Sequence, residues 1–297
     1  MSLRLEMLQV ARLAPSVLGP EASALIEKFV RSQQNADGGF RDRDGQSDLY
    51  YTSFAIDALT ALQATLPAAS LAAFLAGKAE SLGTLDFVHR CCLARLASSV
   101  RDESPASFPL TAILDAIEAF RTPDGGYNQA PGAKTGSAYA CFLAYGAYSD
   151  HGKTLPNAEG VAACLDSLAT GDGAWANDTF LPVPNVPATA AAVTLCRNLR
   201  LPVPPATADW LLGSFQPESG GFLPFPGAPM PDLLSTAVAL HALDGLQAPF
   251  GAVRESALDF VDSLWSAEGG FHGTWDDDEL DLEYTYYGLL ALGHLAL

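Results

Sequence analysis

The sequence predicts an all-α protein in which residues 1–297 form one domain of repeated helical hairpins. Three observations support this prediction: a short glycine-aromatic segment recurs along the chain, a long apolar run follows each copy, and an amphipathic segment precedes it. Hydrophobic residues make up 49% of the 297 residues and charged residues only 17%, which excludes a disordered chain and supplies apolar side chains for a large core.

The glycine-aromatic segments set the length of the repeat. The first is Asp-Gly-Gly-Phe at 37–40, and the related segments have their first glycines at Gly125, Gly173, Gly220 and Gly269. Successive copies are 87, 48, 47 and 49 residues apart, so one unit lacks its turn and the others share nearly one period. Glycine at such a turn allows a positive φ and a close approach of backbones.

Six apolar runs are too long and too rich in alanine and leucine for strands, and they predict six buried inner helices. They cover residues 48–59, 86–96, 133–144, 185–196, 232–243 and 281–292, and the run at 86 supplies the unit without a turn. An Asp or Asn at 48, 86, 185, 232 and 281 can cap the free N–H groups of its helix. Amphipathic segments before the turns predict an outer helix in each unit.

The net charge argues against several classes of partner, and the cysteine content indicates a compartment. The chain has 34 acidic and 16 basic residues, a net charge of −18, and such a surface repels nucleic acids and anionic membranes. No run of 18 apolar residues occurs, so we expect no membrane span. Glu6 and Arg12 interrupt the N-terminal apolar stretch, which argues against a signal peptide, and five cysteines without framework spacing favour a reducing cytoplasm.

Six hairpins can form an open solenoid or a closed ring. The first and last units carry full motifs, whereas solenoid ends are usually atypical caps, so the sequence favours closure. The pattern Phe-Val-x3-Gln-x3-Gly-x-Phe at 29–40, repeated in part around Gly220 and Gly269, resembles the repeat of squalene–hopene cyclases and protein prenyltransferase β subunits. This resemblance extends over essentially the whole chain. It implies an α/α toroid of six inner and six outer helices around an apolar lumen, with the inner-helix N-termini at one mouth.

The resemblance to prenyltransferase β subunits raises the question of zinc. In those subunits zinc is held by an Asp-x-Cys at the start of the fifth inner helix and by a His three residues after the Asp that starts the sixth. Here Asp232 and Asp281 are present, but Leu234 stands in place of the Cys and Tyr284 in place of the His. The usual zinc site is therefore expected to be absent, and no cofactor is expected.

Two other groupings leave metal binding open. Asp86-x-x-His89 repeats the sixth-helix pattern and is followed by Cys91 and Cys92, so a relocated metal site is one alternative and a polar residue at the helix mouth is the other. Six acids in the eight residues 276–283 offer oxygen ligands for Mg²⁺, whereas a charged loop before a helix N-terminus is the interpretation that we favour.

The start of the sixth inner helix also resembles the motif Asp-x-Asp-Asp-Thr of squalene-cyclase-type enzymes, whose middle acid protonates an alkene. Asp281 and the Thr match, Glu283 falls at the donor position, and Tyr284 replaces the last Asp. The resemblance implies Glu283 as a catalytic acid ordered by Asp281 and Tyr284, and we group Asp232 with these candidates. Because Asp-x-x-x-Thr recurs in units 1 and 5, helix capping is the alternative role.

Helical geometry predicts the wall of the lumen. Residues three and seven positions after each opening residue share a face, which predicts the wall residues Tyr51, Ala55, His89, Leu93, Ala188, Ala192, Ser235, Ala239, Tyr284 and Gly288. The expected ligand-binding residues near the mouth are Tyr50, Tyr51, His89, Tyr139, Trp175, Trp275 and Tyr287. Cations are few there, with Arg90 and Lys134 as the exceptions, which favours a neutral apolar ligand over a diphosphate.

Three functions remain open at this point. The first is acid-initiated cyclisation of an apolar polyprenyl substrate, the second a zinc-free prenyltransferase-β-like subunit with a helical partner subunit, and the third a non-catalytic carrier of an apolar, isoprenoid-like molecule. Cyclases of the known kind usually have a second helical domain, for which 297 residues leave no room, and this weakens the first function.

No spacing pairs a nucleophile with the remaining histidines: His151, His241, His272 and His294.

Overall fold

The computed structural model describes residues 2–100 and 108–297, and within them the predicted all-α toroid is confirmed. Helix α1 (Leu3–Ala11) comes first, and outer and inner helices then alternate. The outer helices are α2 (Ala14–Ser32), α4 (Ala68–Glu80), α6 (Leu110–Glu118), α8 (Ala158–Leu168), α10 (Thr207–Gly213) and α12 (Arg254–Ser263). The inner helices are α3 (Leu49–Ala61), α5 (Phe87–Ser99), α7 (Ala138–Ser149), α9 (Val186–Leu199), α11 (Leu233–Gly245) and α13 (Leu282–Leu295). Short 3-10 turns lie at 82–84 and 251–253.

Every inner helix begins after a polar residue whose side chain accepts the backbone N–H three positions later. The five predicted caps do so, and Ser137, which the sequence did not single out, caps α7 in the same way. The caps therefore fix the level at which all six inner helices start, and this level forms one mouth of the lumen.

The aromatic residue of each turn is bound to the start of its inner helix. The backbone N–H of Phe40 donates to Oγ1 of Thr52 at 2.9 Å, and the equivalent bonds join Trp175 to Thr189, Phe222 to Thr236 and Phe271 to Thr285. The threonine therefore has a structural role in at least four units, which accounts for the recurrence of Asp-x-x-x-Thr along the chain.

The ring closes between the last unit and the first, where α13 packs against α3. Gly269 has a φ of 97°, and a Cβ at this position would lie 2.3 Å from the carbonyl oxygen of Leu25 on α2. The corresponding glycines of four other turns approach the outer helix of the following unit in the same way: Gly38, Gly125, Gly173 and Gly220. The contact that joins successive units thus also joins unit 6 to unit 1.

We expect Gly269→Ala to lower the free energy of unfolding by about 2–4 kcal/mol, because alanine is strained at this φ and its Cβ would collide with the α2 backbone. Gly45→Ala is the matched control, since Gly45 has a φ of 82° and no atom within 4 Å of an added Cβ. The control should cost only about 1 kcal/mol. Urea denaturation measures both losses, and equal losses would contradict a ring-closing role for the Gly269 contact.

Two features depart from a purely helical ring of hairpins. The first turn contains a two-residue antiparallel pairing of β1 (Phe40–Arg41) with β2 (Ser47–Asp48). Helix α1 lies at the C-terminal ends of the inner helices, where Arg4 pairs with Asp57 of α3 and Glu6 with Arg197 of α9. Its Met7 lines the lumen, so α1 covers the end of the lumen opposite the mouth.

In the described ranges no helix has the length and apolarity needed to cross a membrane. The five cysteines are free thiols, and all of them are buried.

Candidate functional site

The lumen is a mainly apolar cavity of about 250 Å³. That volume lies just below the range of about 300–1,000 Å³ that is usual for small-molecule sites. Its wall repeats one pattern, residues two, six and nine positions after a cap, as in Leu234, Val238 and His241 on α11. The other lining residues are Met7, Tyr50, Tyr139, Phe142, Pro187, Ala190, Ala191, Thr194 and Tyr287.

The positions predicted for the wall, three and seven residues after the caps, mostly point away from the lumen. Ala55, Leu93 and Ala239 are completely buried between helices, and Gly288 lies against the ring of Phe271. The residue three positions after the cap is turned toward the capping side chain, to which its N–H donates. The lumen face is therefore rotated by one residue, about 100°, from the predicted face.

Glu283 lies at the mouth end, where Tyr50 holds its carboxyl group. The Tyr50 hydroxyl donates to Oε1 of Glu283 at 2.7 Å, and Tyr50 itself lines the lumen. Burial raises the pKa of Glu283 to about 7; the Tyr50 bond and Arg43 oppose this shift, while Asp281 and Asp232 add to it. At neutral pH a large fraction of Glu283 therefore carries a proton.

Asp281 and Tyr284 do not hold the Glu283 carboxyl in the predicted manner. Oδ1 of Asp281 caps α13 by accepting the N–H of Tyr284, while Oδ2 accepts from Nε and Nη2 of Arg43 at 2.9 and 2.7 Å. The guanidinium carbon of Arg43 lies 5.9 Å from the centre of the Tyr284 ring. Tyr50, and not Asp281 or Tyr284, therefore makes the contact that orients the Glu283 carboxyl group. Asp281 pairs instead with Arg43, a partner that the sequence did not indicate.

Arg43 pairs with several carboxylates of the acidic loop that precedes α13. Besides Asp281, its guanidinium binds Asp277 at 2.8 Å and lies 3.6 Å from Glu279. Arg43 comes from the first turn and the loop from the last unit, so the cluster spans the closure of the ring. Arg90, by contrast, donates to the carbonyls of Leu85 and Ala116 on its own side of the toroid. Arg43 is therefore a cation at the mouth that acids already surround.

The residues at the zinc positions of prenyltransferase β subunits do not fit zinc. Leu234 lines the lumen, and the ring of Tyr284 packs against Gly273. Both carboxylate oxygens of Asp232 accept from Ser235, one from its N–H and one from its hydroxyl. Neither a leucine nor a neutral tyrosine supplies the thiolate or imidazole that zinc prefers.

The relocated metal site is also not assembled. His89 lies between two carboxylates, with Nε2 2.6 Å from Asp48 and Nδ1 2.8 Å from Asp86. Cys91 and Cys92 are buried in the core, and burial raises the pKa of Cys92 to about 12. Over residues 2–100 and 108–297, no three His, Cys, Asp or Glu side chains are grouped so that they could hold a metal ion, and this includes the acidic loop.

We expect an NMR titration to give His89 a pKa of about 9, because the hydrogen bond to Asp48 raises it. Asp48→Asn keeps an N-cap but removes the charge, so the pKa should fall by about 1–2 units. A raised histidine pKa adds stability that is complete below about 6.5 and is lost as the pH rises through about 9. The variant should thus be less stable than wild type at pH 6 but not at pH 10. An unchanged His89 pKa in the variant would contradict the assignment.

The structure places three of the seven predicted ligand-binding residues on the lumen wall, namely Tyr50, Tyr139 and Tyr287. Tyr51 and His89 lie at the rim of the mouth, partly exposed. Trp175 is buried, and its indole donates to the carbonyl of Leu165 on α8 at 3.0 Å. Trp275 packs on Phe260 of α12. Both tryptophans lie away from the lumen because each packs against an outer helix.

The chain matches in sequence the family described as "Prenyltransferase alpha-alpha toroid domain", over residues 15–91 and 203–296. A search of the curated proteins finds no significant sequence match. Among solved structures, a protein from Actinoplanes has a TM-score of 0.61 at 17% identity, with 93% of this chain and 99% of that chain covered.

Two enzymes of known structure are also similar in fold. A variant of the type II terpene cyclase MstE from Scytonema, in complex with its substrate geranylgeranyl dihydroxybenzoate, has a TM-score of 0.58 at 12% identity and covers 99% of this chain and 98% of its own. An inactive variant of the alpha-1,6-mannanase GH76A of Salegentibacter sp. HEL1_6, with alpha-1,6-mannotriose, has a TM-score of 0.60 at 10% identity and covers 93% and 98%. At such identities the likeness shows the fold alone. The sequence match, however, covers more than half of the chain, which therefore belongs to the prenyltransferase alpha-alpha toroid domain family.

Proposed function

We propose that the protein catalyses the acid-initiated cyclisation of a neutral polyprenyl substrate, with Glu283 as the acid. The observation that carries the proposal is the Glu283 carboxyl group, which has a pKa of about 7 and is hydrogen-bonded to Tyr50 of the apolar lumen wall. A general acid must hold its proton at the working pH and release it to the substrate, and a pKa near neutrality satisfies both demands.

The reaction needs no co-reactant. The π electrons of a terminal alkene take the proton of Glu283 and form a C–H bond, which leaves a carbocation on the neighbouring carbon. Internal alkenes then attack in turn, each forming a C–C bond, until a C–H bond loses its proton and an alkene is restored. The hydrogen bond from Tyr50 and the charge of Arg43, which both lower the pKa of Glu283, stabilise the carboxylate left by the first step.

The wall of the lumen suits a hydrocarbon that becomes positively charged. Faces of Tyr139, Phe142 and Tyr287 can stabilise a carbocation, and the cover formed by α1 limits water that would trap it. A diphosphate would need several free cations, whereas Arg43 is bound by acids. The apolar wall likewise disfavours a saccharide such as the ligand of the similar mannanase. The terpene cyclase MstE is matched over nearly its whole length, so this fold does not need a second helical domain for such chemistry.

Incubation in D₂O with neutral polyprenyl compounds tests the proposal. Glu283 exchanges its proton with solvent, so the first step delivers deuterium, whereas the last step removes a substrate hydrogen. We expect cyclic products whose mass exceeds that of the substrate by one unit, with one deuterium at the former alkene terminus. Mass spectrometry and NMR of the extract identify both features.

The same incubation separates the alternatives. A cyclic product without deuterium would exclude protonation as the initiating step. Release of diphosphate from prenyl diphosphates would favour the transferase-like function, for which a helical partner subunit would then be sought. Recovery of bound but unchanged isoprenoid would favour a carrier.

A further inference from the structure

Helix α1 contributes one side chain to the deep end of the lumen. Met7 lines the lumen there, and it is only 7% exposed. Two inner-helix residues line the same end, Thr194 of α9 and His241 of α11, each nine positions after the cap of its helix. An apolar chain that enters at the mouth therefore meets the Met7 side chain where the lumen ends.

Contacts with three inner helices fix the position of α1. Arg4 pairs with the buried Asp57 of α3 at 2.6 Å, and Glu6 pairs with α9. On α13, a Cβ added to Gly293 would lie 2.2 Å from the carbonyl oxygen of Val10, so the backbone of α1 lies directly on that helix. Since α1 is fixed and Met7 is packed into the core, the Met7 side chain forms a defined end wall.

The end wall comes from a part of the chain that lies outside the repeats. The residues that match the toroid family begin at position 15, after α1. None of the six helical hairpins therefore supplies the Met7 side chain. A substitution in α1 can change the depth of the lumen while the inner helices keep their places.

The lumen that Met7 closes is short. Tyr50 lines it two positions after its cap and His241 nine positions after its cap, a difference of seven helical residues, or about 10 Å of rise. An extended chain of singly bonded atoms advances about 1.2 Å per bond, so about eight bonds extend from one end to the other. The volume of about 250 Å³ agrees with so short an occupant.

We propose that Met7 sets the length of the apolar chain that the lumen accepts, at about two isoprene units. This rests on the apolar ligand of the function proposed above but not on the acid step. A longer chain must either leave its end outside the mouth or displace the buried thioether of Met7, and burial of further methylenes then no longer adds to binding.

Calorimetric titration with linear primary alcohols that differ by one methylene tests the proposal. Affinity for wild type should rise about fourfold per methylene until the chain reaches Met7, and should then stop rising. Met7→Ala removes Cγ, Sδ and Cε, so we expect this length limit to increase by about three methylenes. Met7→Phe should decrease the limit, which keeps the proposal testable if α1 detaches in Met7→Ala.

Leu234→Ala is the matched control, because it removes the same number of side-chain atoms from the lumen wall near the mouth. It should weaken the binding of all the alcohols without moving the length limit. A limit that is the same in wild type, Met7→Ala and Met7→Phe would overturn the role of Met7, and so would an equal increase in Leu234→Ala.

The titrations also distinguish this proposal from the acid step. Wild type that shows the length limit but forms no cyclic product from any isoprenoid would overturn the proposed cyclisation and leave the role of Met7 in place. Cyclisation with a length limit that no Met7 variant moves would do the reverse. Wild type that binds none of the alcohols would overturn the length limit itself.

Discussion

Replacing Asp57 by alanine should lower the free energy of unfolding by about 3–5 kcal/mol. Asp57 is 1% exposed on α3, where Oδ1 accepts from Nε of Arg4 at 2.6 Å and Oδ2 lies 3.3 Å from Nη2 of Arg95 on α5. Alanine would leave two guanidinium groups at a largely buried position without this anion. The cost of removing a charge from water is then no longer compensated by a partner.

The same substitution should loosen α1, because Arg4 is one of the two charged residues that bind α1 to the inner helices. Hydrogen exchange of the α1 amides should therefore become faster in Asp57→Ala than the loss of global stability alone predicts. Glu27→Ala is the control, since Glu27 forms an exposed pair with Arg31 on a single helix, and its loss should stay below about 0.5 kcal/mol. Urea denaturation provides the comparison. A loss no larger than that of the control would show that this buried cluster does not secure the ring.

The features that the sequence predicted correctly are those encoded by the repeat. Each cap and turn aromatic acts within its own unit and each turn glycine contacts the outer helix of the next unit, so the spacing of these residues recurs along the chain. Gly269 is the informative case, because its motif matches that of Gly38 although its partner is α2 at the other end of the sequence. The repeat therefore predicted the closed ring as well as the hairpins.

The features that the sequence did not predict depend on contacts between distant units. Tyr50 and Glu283 are 233 positions apart, and Arg43 and Asp281 are 238 apart, and only closure of the ring brings them together. The helical period predicted which residues share a face but not which face turns to the lumen. Because the predicted face was wrong by one residue, His241 was not predicted to line the lumen. Helix α1 belongs to no repeat, so periodicity could not indicate where it lies.

Glu283→Gln should abolish turnover and also stabilise the protein at neutral and alkaline pH. Glutamine has nearly the same shape but cannot give a proton to an alkene, so we expect product formation to fall by about 10²–10⁴-fold. The variant should still bind the substrate, because the lumen wall is unchanged. Glu279→Gln is the control, since the Glu279 side chain is 59% exposed, and its turnover should match wild type.

The stability effect has a definite sign. The pKa of Glu283 is raised from 4.5 to about 7 by folding, so the native state binds its proton more tightly than the unfolded chain does. Wild type should therefore lose stability, relative to Glu283→Gln, as the pH rises from about 4.5 to about 7, by about 3 kcal/mol, and the difference should stay nearly constant above that range. Urea denaturation at a series of pH values measures it. A stability difference that does not change with pH would mean that Glu283 is ionised in the native protein. Loss of turnover in the variant would then have to be assigned to a carboxylate that stabilises positive charge, and not to an acid that starts the reaction.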